Sequence, residues 1–242
     1  MSEFLSGKRA LVTGGSKGIG IAVARALLAE GAGVVICARD EKRLAAALAD
    51  LSGNAHGRKI AGRKADVSNS EEVRQLFVFA DQELGGLDIL INNAGTGLFR
   101  STAEMTVEEW DRLIGTNLSG AFYCSREALE RFHRARGGSI VNISSLAGKN
   151  PFPGGAAYNA SKFGMNGFSE AMMLDHRYDN VRVSYIMPGS VETEFVGNNP
   201  EHKSDWKIAP EDIAEIVLDI LRKPARTLVS RVEVRPSRPQ KS

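Results

Sequence analysis

The stretch Thr13-Gly14-Gly15-Ser16-Lys17-Gly18-Ile19-Gly20 follows the apolar run Ala10-Leu11-Val12 and opens into an alanine- and leucine-rich segment. Glycines at such a junction allow a tight strand-to-helix turn and bring main chain close to a bound phosphate. The helix that follows presents unpaired N–H groups and the positive end of its dipole, which together bind anions. Strand, glycine turn and helix in this order read as a βα unit built for a dinucleotide. No Gly-Lys-Ser/Thr stands at Walker spacing, so a nucleoside triphosphate loop of that kind is excluded.

Outward from this unit, short β-branched runs alternate with helical patterns to the end of the chain. Strands are expected at 9–13, 33–38, 58–65, 88–92, 138–144, 181–187 and 227–234, and helices at 18–30, 41–51, 70–84, 107–134, 157–177 and 210–221. Strands alternating with helices predict an α/β class, a doubly wound Rossmann fold with a seven-stranded parallel sheet and helices on both faces. The third strand is basic and glycine-rich, Arg58-Lys59-Ile60-Ala61-Gly62-Arg63, and suits a sheet edge. No repeat or linker divides the chain, so residues 1–242 are expected to form one dinucleotide-binding and catalytic domain. Residues 189–207 are polar and without period, which reads as a mobile loop closing over a substrate, and residues 235–242 as a fraying basic tail.

The 31 basic residues nearly cancel the 29 acidic ones, a net charge of +2, which argues against a broad nucleic-acid or membrane electrostatic surface. The basic stretch 58–64 and the tail are the only local clusters in favour of nucleic acid, and neither nucleic acid nor membrane is expected as a partner. Cys37 and Cys124 form neither a C-x-x-C pair nor a zinc spacing with the four histidines, so no metal is expected. Two unpaired cysteines, and no apolar run of leader or membrane length, lead to the expectation of a soluble cytoplasmic protein.

Together these residues resemble the short-chain dehydrogenase/reductase family. Its T-G-x-x-x-G-x-G pattern is matched by Thr13, Gly14, Gly18 and Gly20, and further matches are Asp66-Val67, Asn92-Asn93-Ala94-Gly95, Asn117, Ser145, Tyr158-x-x-x-Lys162 and Pro188-Gly189. The resemblance covers nearly the whole chain, and the order of its elements is more specific than any one of them. It implies an oxidoreductase that moves a hydride between a nicotinamide dinucleotide and a carbonyl or secondary alcohol.

Cofactor choice follows from charge. Rossmann enzymes that use NAD place a carboxylate after the second strand for the ribose 2′-hydroxyl, whereas a cation there accommodates a 2′-phosphate. This chain carries Ala38 and then Arg39, and Lys17 in the glycine loop lies within reach of the same phosphate. A guanidinium and an ammonium make a charge-assisted phosphate clamp, so NADP(H) is favoured over NAD(H). Main-chain contacts from Gly14, Ser16, Gly18, Ile19 and Gly20 complete the phosphate site. By resemblance, Asp66 bonds the adenine amine, Val67 covers the ring, Asn93, Ala94 and Gly95 line the adenosine ribose side, and Pro188, Gly189, Val191 and Thr193 orient the nicotinamide. On the residues alone, Asp66 equally suits a cap for the helix near Ser70 or a turn.

Tyr158 and Lys162 stand four residues apart in a helical segment and share one face. A phenol with a pKa near ~10 is a weak base, and a nearby ammonium favours its phenolate. The resemblance makes Tyr158 the proton donor or acceptor, Lys162 its partner and a ribose ligand, Ser145 the hydrogen-bond donor to the substrate oxygen, and Asn117 a holder of the lysine through water. Ser144 is the alternative serine.

The substrate is legible only as walls: Leu98 and Phe99, residues 147–152 and residues 195–206, with Phe152, Phe195 and Trp206 for an apolar portion and Lys149, His202 and Lys203 for an anionic one. Ketones, 3-oxoacyl compounds and short oxo acids all fit this description. The chain reads Val232-Glu233-Val234-Arg235-Pro236 where many relatives carry Val-Asp-Gly-Gly, which weakens a specific carrier-protein reductase. The alternatives are an NAD-dependent alcohol or hydroxy-acid dehydrogenase of the family, or a dinucleotide sensor without turnover. The long helical segments 107–134 and 157–177 are the family's oligomer surface, implying a homodimer or homotetramer.

Overall fold

The computed structural model describes residues 3–53, 55, 57–195 and 205–239. Seven strands, β1 (Arg9–Thr13), β2 (Gly33–Ala38), β3 (Ile60–Lys64), β4 (Ile89–Asn92), β5 (Gly138–Ile143), β6 (Val181–Pro188) and β7 (Arg231–Val234), form one sheet in the order β3-β2-β1-β4-β5-β6-β7. Every neighbouring pair is parallel. Helices α1 (Gly18–Ala29), α2 (Glu41–Gly53), α3 (Ser70–Leu84), α4 (Val107–Ile114), α5 (Gly120–Ala135), α6 (Ala156–His176) and α7 (Pro210–Arg222) cover it.

The two-residue strand period sorts the core into two layers. Val12, Val34, Ile36, Ile91 and Val141 face α1, α2 and α7, while Leu11, Val35, Leu90 and Ile140 face α3, α5 and α6. Strands buried on both faces read as continuous apolar runs, and these do. β3 lies at the sheet edge, as its basic composition predicts, and its side chains are mostly half-buried. Strand order reverses between β1 and β4, so their carboxyl ends part and leave a crevice for a ligand.

Several expected boundaries change. The expected helix over 107–134 is α4 and α5 joined by a π-helical turn, Gly115–Ser119. The apolar period runs unbroken through this turn, so the sequence does not announce it. A Cβ at Gly120 would meet Val67 O at 2.9 Å, so only glycine lets α5 lie this close to the end of β3. β3 and β7 are shorter than expected, and Thr227 N instead bonds Pro224 O at 2.8 Å in a turn. The segment after β6 is not without structure: Val191 forms a parallel bridge with Ile208, and Glu192 N bonds Ile208 O at 2.8 Å. The central part of the expected mobile loop, residues 196–204, lies outside the described residues, as do tail residues 240–242. Among the described residues no helix is long and apolar enough to cross a membrane.

Candidate active site

The crevice at the carboxyl ends of the strands is a cleft of about 980 Å³. Its floor is the glycine turn. Gly14 has φ +63° and a Cβ there would lie 2.9 Å from Ala94 Cα, while a Cβ at Gly20 would collide with Gly14 O and stand 2.5 Å from Asn93 Nδ2. Asn93 holds the turn against β4 by donating to Thr13 O at 2.9 Å and Gly14 O at 3.1 Å. Thr13 Oγ1 accepts from the amides of Asn93 and Ala94, both at 3.0 Å. Helix α1 starts after Lys17 with no side-chain cap and no acidic residue in its first turn, so its N-terminal amides remain open toward the cleft. An uncapped N-terminus above a cradle that any Cβ would fill fits a dinucleotide pyrophosphate.

Of the expected cofactor residues, Gly14, Ser16, Lys17, Gly18, Ile19, Arg39, Val67, Asn93, Ala94, Gly95, Pro188, Gly189, Val191 and Thr193 all line the cleft. Gly20 packs beneath the turn. Asp66 is not among the lining residues; its Oδ1 accepts from Ser68 N at 2.9 Å and Ser68 Oγ at 2.7 Å, and Oδ2 stands 3.9 Å from Arg39. It does not cap α3; Asn69 does, accepting from Glu71 N and Glu72 N. Of its two local roles, Asp66 takes the turn and not the cap.

The other end of the cleft holds the expected catalytic side chains. Ser145 follows β5, and its Oγ accepts from Ala147 N at 3.1 Å. Tyr158 is only 8% exposed, and burial raises its pKa against the opposing influence of the Ser145 hydroxyl. The dry surroundings of the phenol, rather than the ammonium expected from sequence, set the direction of this shift. Lys162, one turn further along α6, is 5% exposed, and burial pushes its pKa down to about 8. Its Nζ donates to Ile143 O at 3.0 Å and stands 5.8 Å from the Tyr158 ring centre. Ser144 is the structural serine, donating to Asn166 Oδ1 at 2.5 Å.

Asn117 lies in the π-helical turn and is fully buried. Its Oδ1 accepts from Thr96 N at 2.8 Å, and its Nδ2 donates to Thr96 O at 2.9 Å and Ser161 Oγ at 3.1 Å. Gly95 intervenes before the lysine: a Cβ there would be 3.5 Å from Asn117 Oδ1 and 3.9 Å from Lys162 Nζ. The amide thus ties the loop after β4 to α6, the element that carries both Tyr158 and Lys162.

Three aromatic rings surround Tyr158. Phe99 lies edge-on at 5.6 Å between centres, Phe195 at 5.7 Å, and Phe152 packs on Phe99 at 5.2 Å. Leu98 is half-buried against the same cluster. Of the expected cationic wall, Lys149 is instead paired with Glu233 at 2.6 Å, and His202 and Lys203 lie outside the described residues. Trp206 does not line the cleft and sits 6.0 Å from the Lys207 ammonium.

Sequence reasoning missed Arg43, Glu194 and Asn159. Arg43 and Glu194 line the cleft beside Lys17. Arg43 stands four residues after Arg39, at the start of α2, a spacing that points to it; nothing in the sequence links Glu194 to either cation. Asn159 shapes the loop before α6 through Nδ2 donation to Ala147 O at 2.6 Å. A surface cluster also escaped notice: His133 and His176 both bond Asp179 Oδ2, at 3.3 and 3.0 Å. Both cysteines are free and buried, and burial pushes the Cys37 thiol up to about 12.

Fold and cleft together define a dinucleotide-dependent oxidoreductase of Rossmann type. The sequence pattern of the short chain dehydrogenase family matches residues 8–204, and the chain belongs to that family. An uncharacterized oxidoreductase of Staphylococcus aureus (strain USA300) is 35% identical over 233 residues, 96% of this chain and 98% of that protein. The crystal structure of a metagenomic short-chain oxidoreductase in complex with NADP is 37% identical with a TM-score of 0.85, covering 97% of this chain and 99% of that one. An alcohol dehydrogenase from the archaeon Thermococcus sibiricus, complexed with 5-hydroxy-NADP, superposes with a TM-score of 0.89 at 29% identity, covering 97% and 99% of the two chains.

Proposed function

We propose that this chain is an NADP(H)-dependent oxidoreductase that interconverts a carbonyl and a secondary alcohol, working chiefly as a ketone reductase on substrates with an apolar or aromatic group. The observation that carries this reading is the grouping of Ser145, Tyr158 and Lys162 at one end of the cleft whose other end is the glycine turn. Lys17, Arg39 and Arg43 would hold a 2′-phosphate, the α1 N-terminus the pyrophosphate, and Pro188, Gly189, Val191 and Thr193 the nicotinamide. Bound there, the reduced dinucleotide supplies the hydride.

Ser145 donates a hydrogen bond to the substrate oxygen and Tyr158 gives that oxygen its proton. A buried phenol is fully protonated at neutral pH and therefore ready to donate. Once the proton has left, the Lys162 ammonium offsets the charge on the phenolate oxygen. Asn117 keeps α6 in register with the loop after β4, and a water between it and Lys162 would pass protons outward. Phe99, Phe152 and Phe195 exclude water and accept an apolar substituent, and the capture of Lys149 by Glu233 argues against an anionic substrate.

The reading includes one catalytic domain over residues 1–242, action in the cytoplasm, and a homodimer or homotetramer formed through α4, α5 and α6. These helices expose Trp110, Phe122 and Phe163, an apolar set suited to an interface. The test is steady-state reduction of acetophenone-type and short aliphatic ketones with NADPH and NADH side by side, with sedimentation for the assembly. Faster NADPH-dependent turnover of aryl ketones is expected. Turnover with NADH alone would overturn the cofactor assignment, and turnover of oxo acids alone would overturn the substrate class.

A further inference from the structure

The cations expected to grip a 2′-phosphate are already engaged. Glu194 Oε2 accepts from Lys17 Nζ at 3.2 Å and from Arg43 Nη1 at 3.0 Å, so one carboxylate oxygen joins both. Arg39 has Asp66 at 3.9 Å, and Arg43 also has Asp40 at 3.7 Å. Asp40 and Asp66 come from the ends of β2 and β3, beside the cations they accompany. Glu194 comes from the far side of the cleft, on the segment after β6 that carries Val191 and Thr193. That segment abuts the glycine turn directly: a Cβ at Gly18 would lie 3.1 Å from Thr193 Cγ2. Lys17 holds the Glu194 carboxyl below its ordinary pKa, with Arg43 contributing, so it is ionised at neutral pH.

We propose that Glu194 is a cofactor-discriminating residue: its carboxylate takes the place of a ribose 2′-phosphate on Lys17 and Arg43, so that a 2′-phosphorylated dinucleotide must displace it and an unphosphorylated one need not. The inference rests on the NADP(H) reading only in assigning the phosphate to these cations. A dianionic phosphate and an ionised carboxylate cannot both sit on the same two donors without like-charge repulsion. The carboxylate therefore lowers the affinity for NADPH and leaves that for NADH nearly unchanged. It moderates a preference that the three cations alone would make steeper. The link also has a structural side, because displacing Glu194 releases the one ion-pair tie, among the described residues, between the glycine loop and the segment flanking the nicotinamide end.

The test is calorimetric titration of the wild-type protein, Glu194→Gln and Glu194→Ala with NADPH, NADH, 2′,5′-ADP and 5′-AMP. Both variants should bind NADPH and 2′,5′-ADP about three- to tenfold more tightly, the effect expected for removing two half-exposed ion pairs. NADH and 5′-AMP should change less than about twofold. The ADP and AMP probes have no nicotinamide, so a change seen with them cannot come from the ring-orienting role of Thr193. Unchanged or weaker 2′,5′-ADP binding in both variants, or an equal gain for 5′-AMP, overturns the proposal. A wild-type protein that prefers NADH overturns the NADP(H) reading separately, because the proposal is read from the variant-to-wild-type ratio.

Discussion

The Lys162 ammonium donates to the carbonyl of Ile143, the last residue of β5, at 3.0 Å. A cation satisfied by one peptide oxygen and otherwise buried is costly to hold, and burial alone brings its pKa down to about 8 from the ordinary lysine value of 10.5. The folded protein therefore binds this proton less readily than the unfolded chain. Below pH 8 the full penalty applies, and between pH 8 and 10.5 it fades as the folded state sheds the proton first. Lys162→Met should accordingly be more stable than the wild type at pH 7 by up to about 3 kcal/mol. That advantage should shrink toward zero by pH 10.5, the ordinary lysine value. Urea unfolding of both proteins, free of cofactor, at pH 7 and above pH 10 measures the difference; an advantage that does not shrink at high pH would contradict this account.

Tyr158 is the phenol that the Phe99 and Phe195 rings orient. Tyr158→Phe should lower kcat for ketone reduction by about 10³-fold, within the range for loss of a general acid. Cofactor binding should stay within about twofold, because the ring itself remains. Burial raises the phenol pKa, so reduction should be flat through neutral pH while alcohol oxidation, which needs the phenolate, should climb as pH rises. Stopped-flow traces of NADPH consumption with ketone, and of NADPH formation with alcohol and NADP+, across pH 6 to 10, about the span over which a raised phenol begins to ionise, decide both points.

Gly20 has no room for a side chain, whereas a Cβ at Gly53 would meet no described heavy atom within 4 Å beyond its own stretch of chain. Gly20→Ala should lower the melting temperature by several degrees and weaken cofactor binding by at least about tenfold, since main chain must move at the phosphate cradle. Gly53→Ala, at the end of α2, should be neutral or slightly stabilising. Thermal melts with and without NADPH distinguish the two.

Arg43 faces the cleft from the first turn of α2. Arg43→Ala should weaken NADPH binding by about tenfold and leave NADH nearly unaffected, the loss of one charge-assisted phosphate contact. Equal weakening of both cofactors would show that Arg43 acts on the fold of the cleft rather than on the 2′-phosphate.

The sheet was legible in the sequence because parallel strands buried on both faces read as unbroken apolar runs, and the alternation of Val12 with Leu11 or Ile36 with Val35 follows from their geometry alone. The glycine turn, Ser145, Tyr158 and Lys162 were legible because each is fixed by local spacing at a strand end or on one helix face. Glu194 was not, since 177 residues separate it from Lys17 and only the folded sheet brings them together. The orientation of Asp66 was equally hidden: a carboxylate two residues before Ser68 can cap, turn or reach outward, and the choice depends on the hydroxyl it finds. The same holds for the deprotonation of Tyr158, where charge proximity is visible in the sequence and dryness is not.

The π-helical turn at Gly115–Ser119 has a consequence for how this chain tolerates changes in length. Such a turn winds one residue more than an α-helical turn would, so the faces of α4 and α5 are offset by roughly 100° from a continuous winding. Loss of any one residue between 115 and 119 would rewind the stretch into plain α-helix, swing Asn117 away from Thr96 and Ser161, and leave the inward faces of α4 and α5 both aligned on new neighbours. The whole register of α5 against the sheet thus depends on a single surplus residue, and this is the place along the helix where an alignment with straight-wound relatives should open its gap.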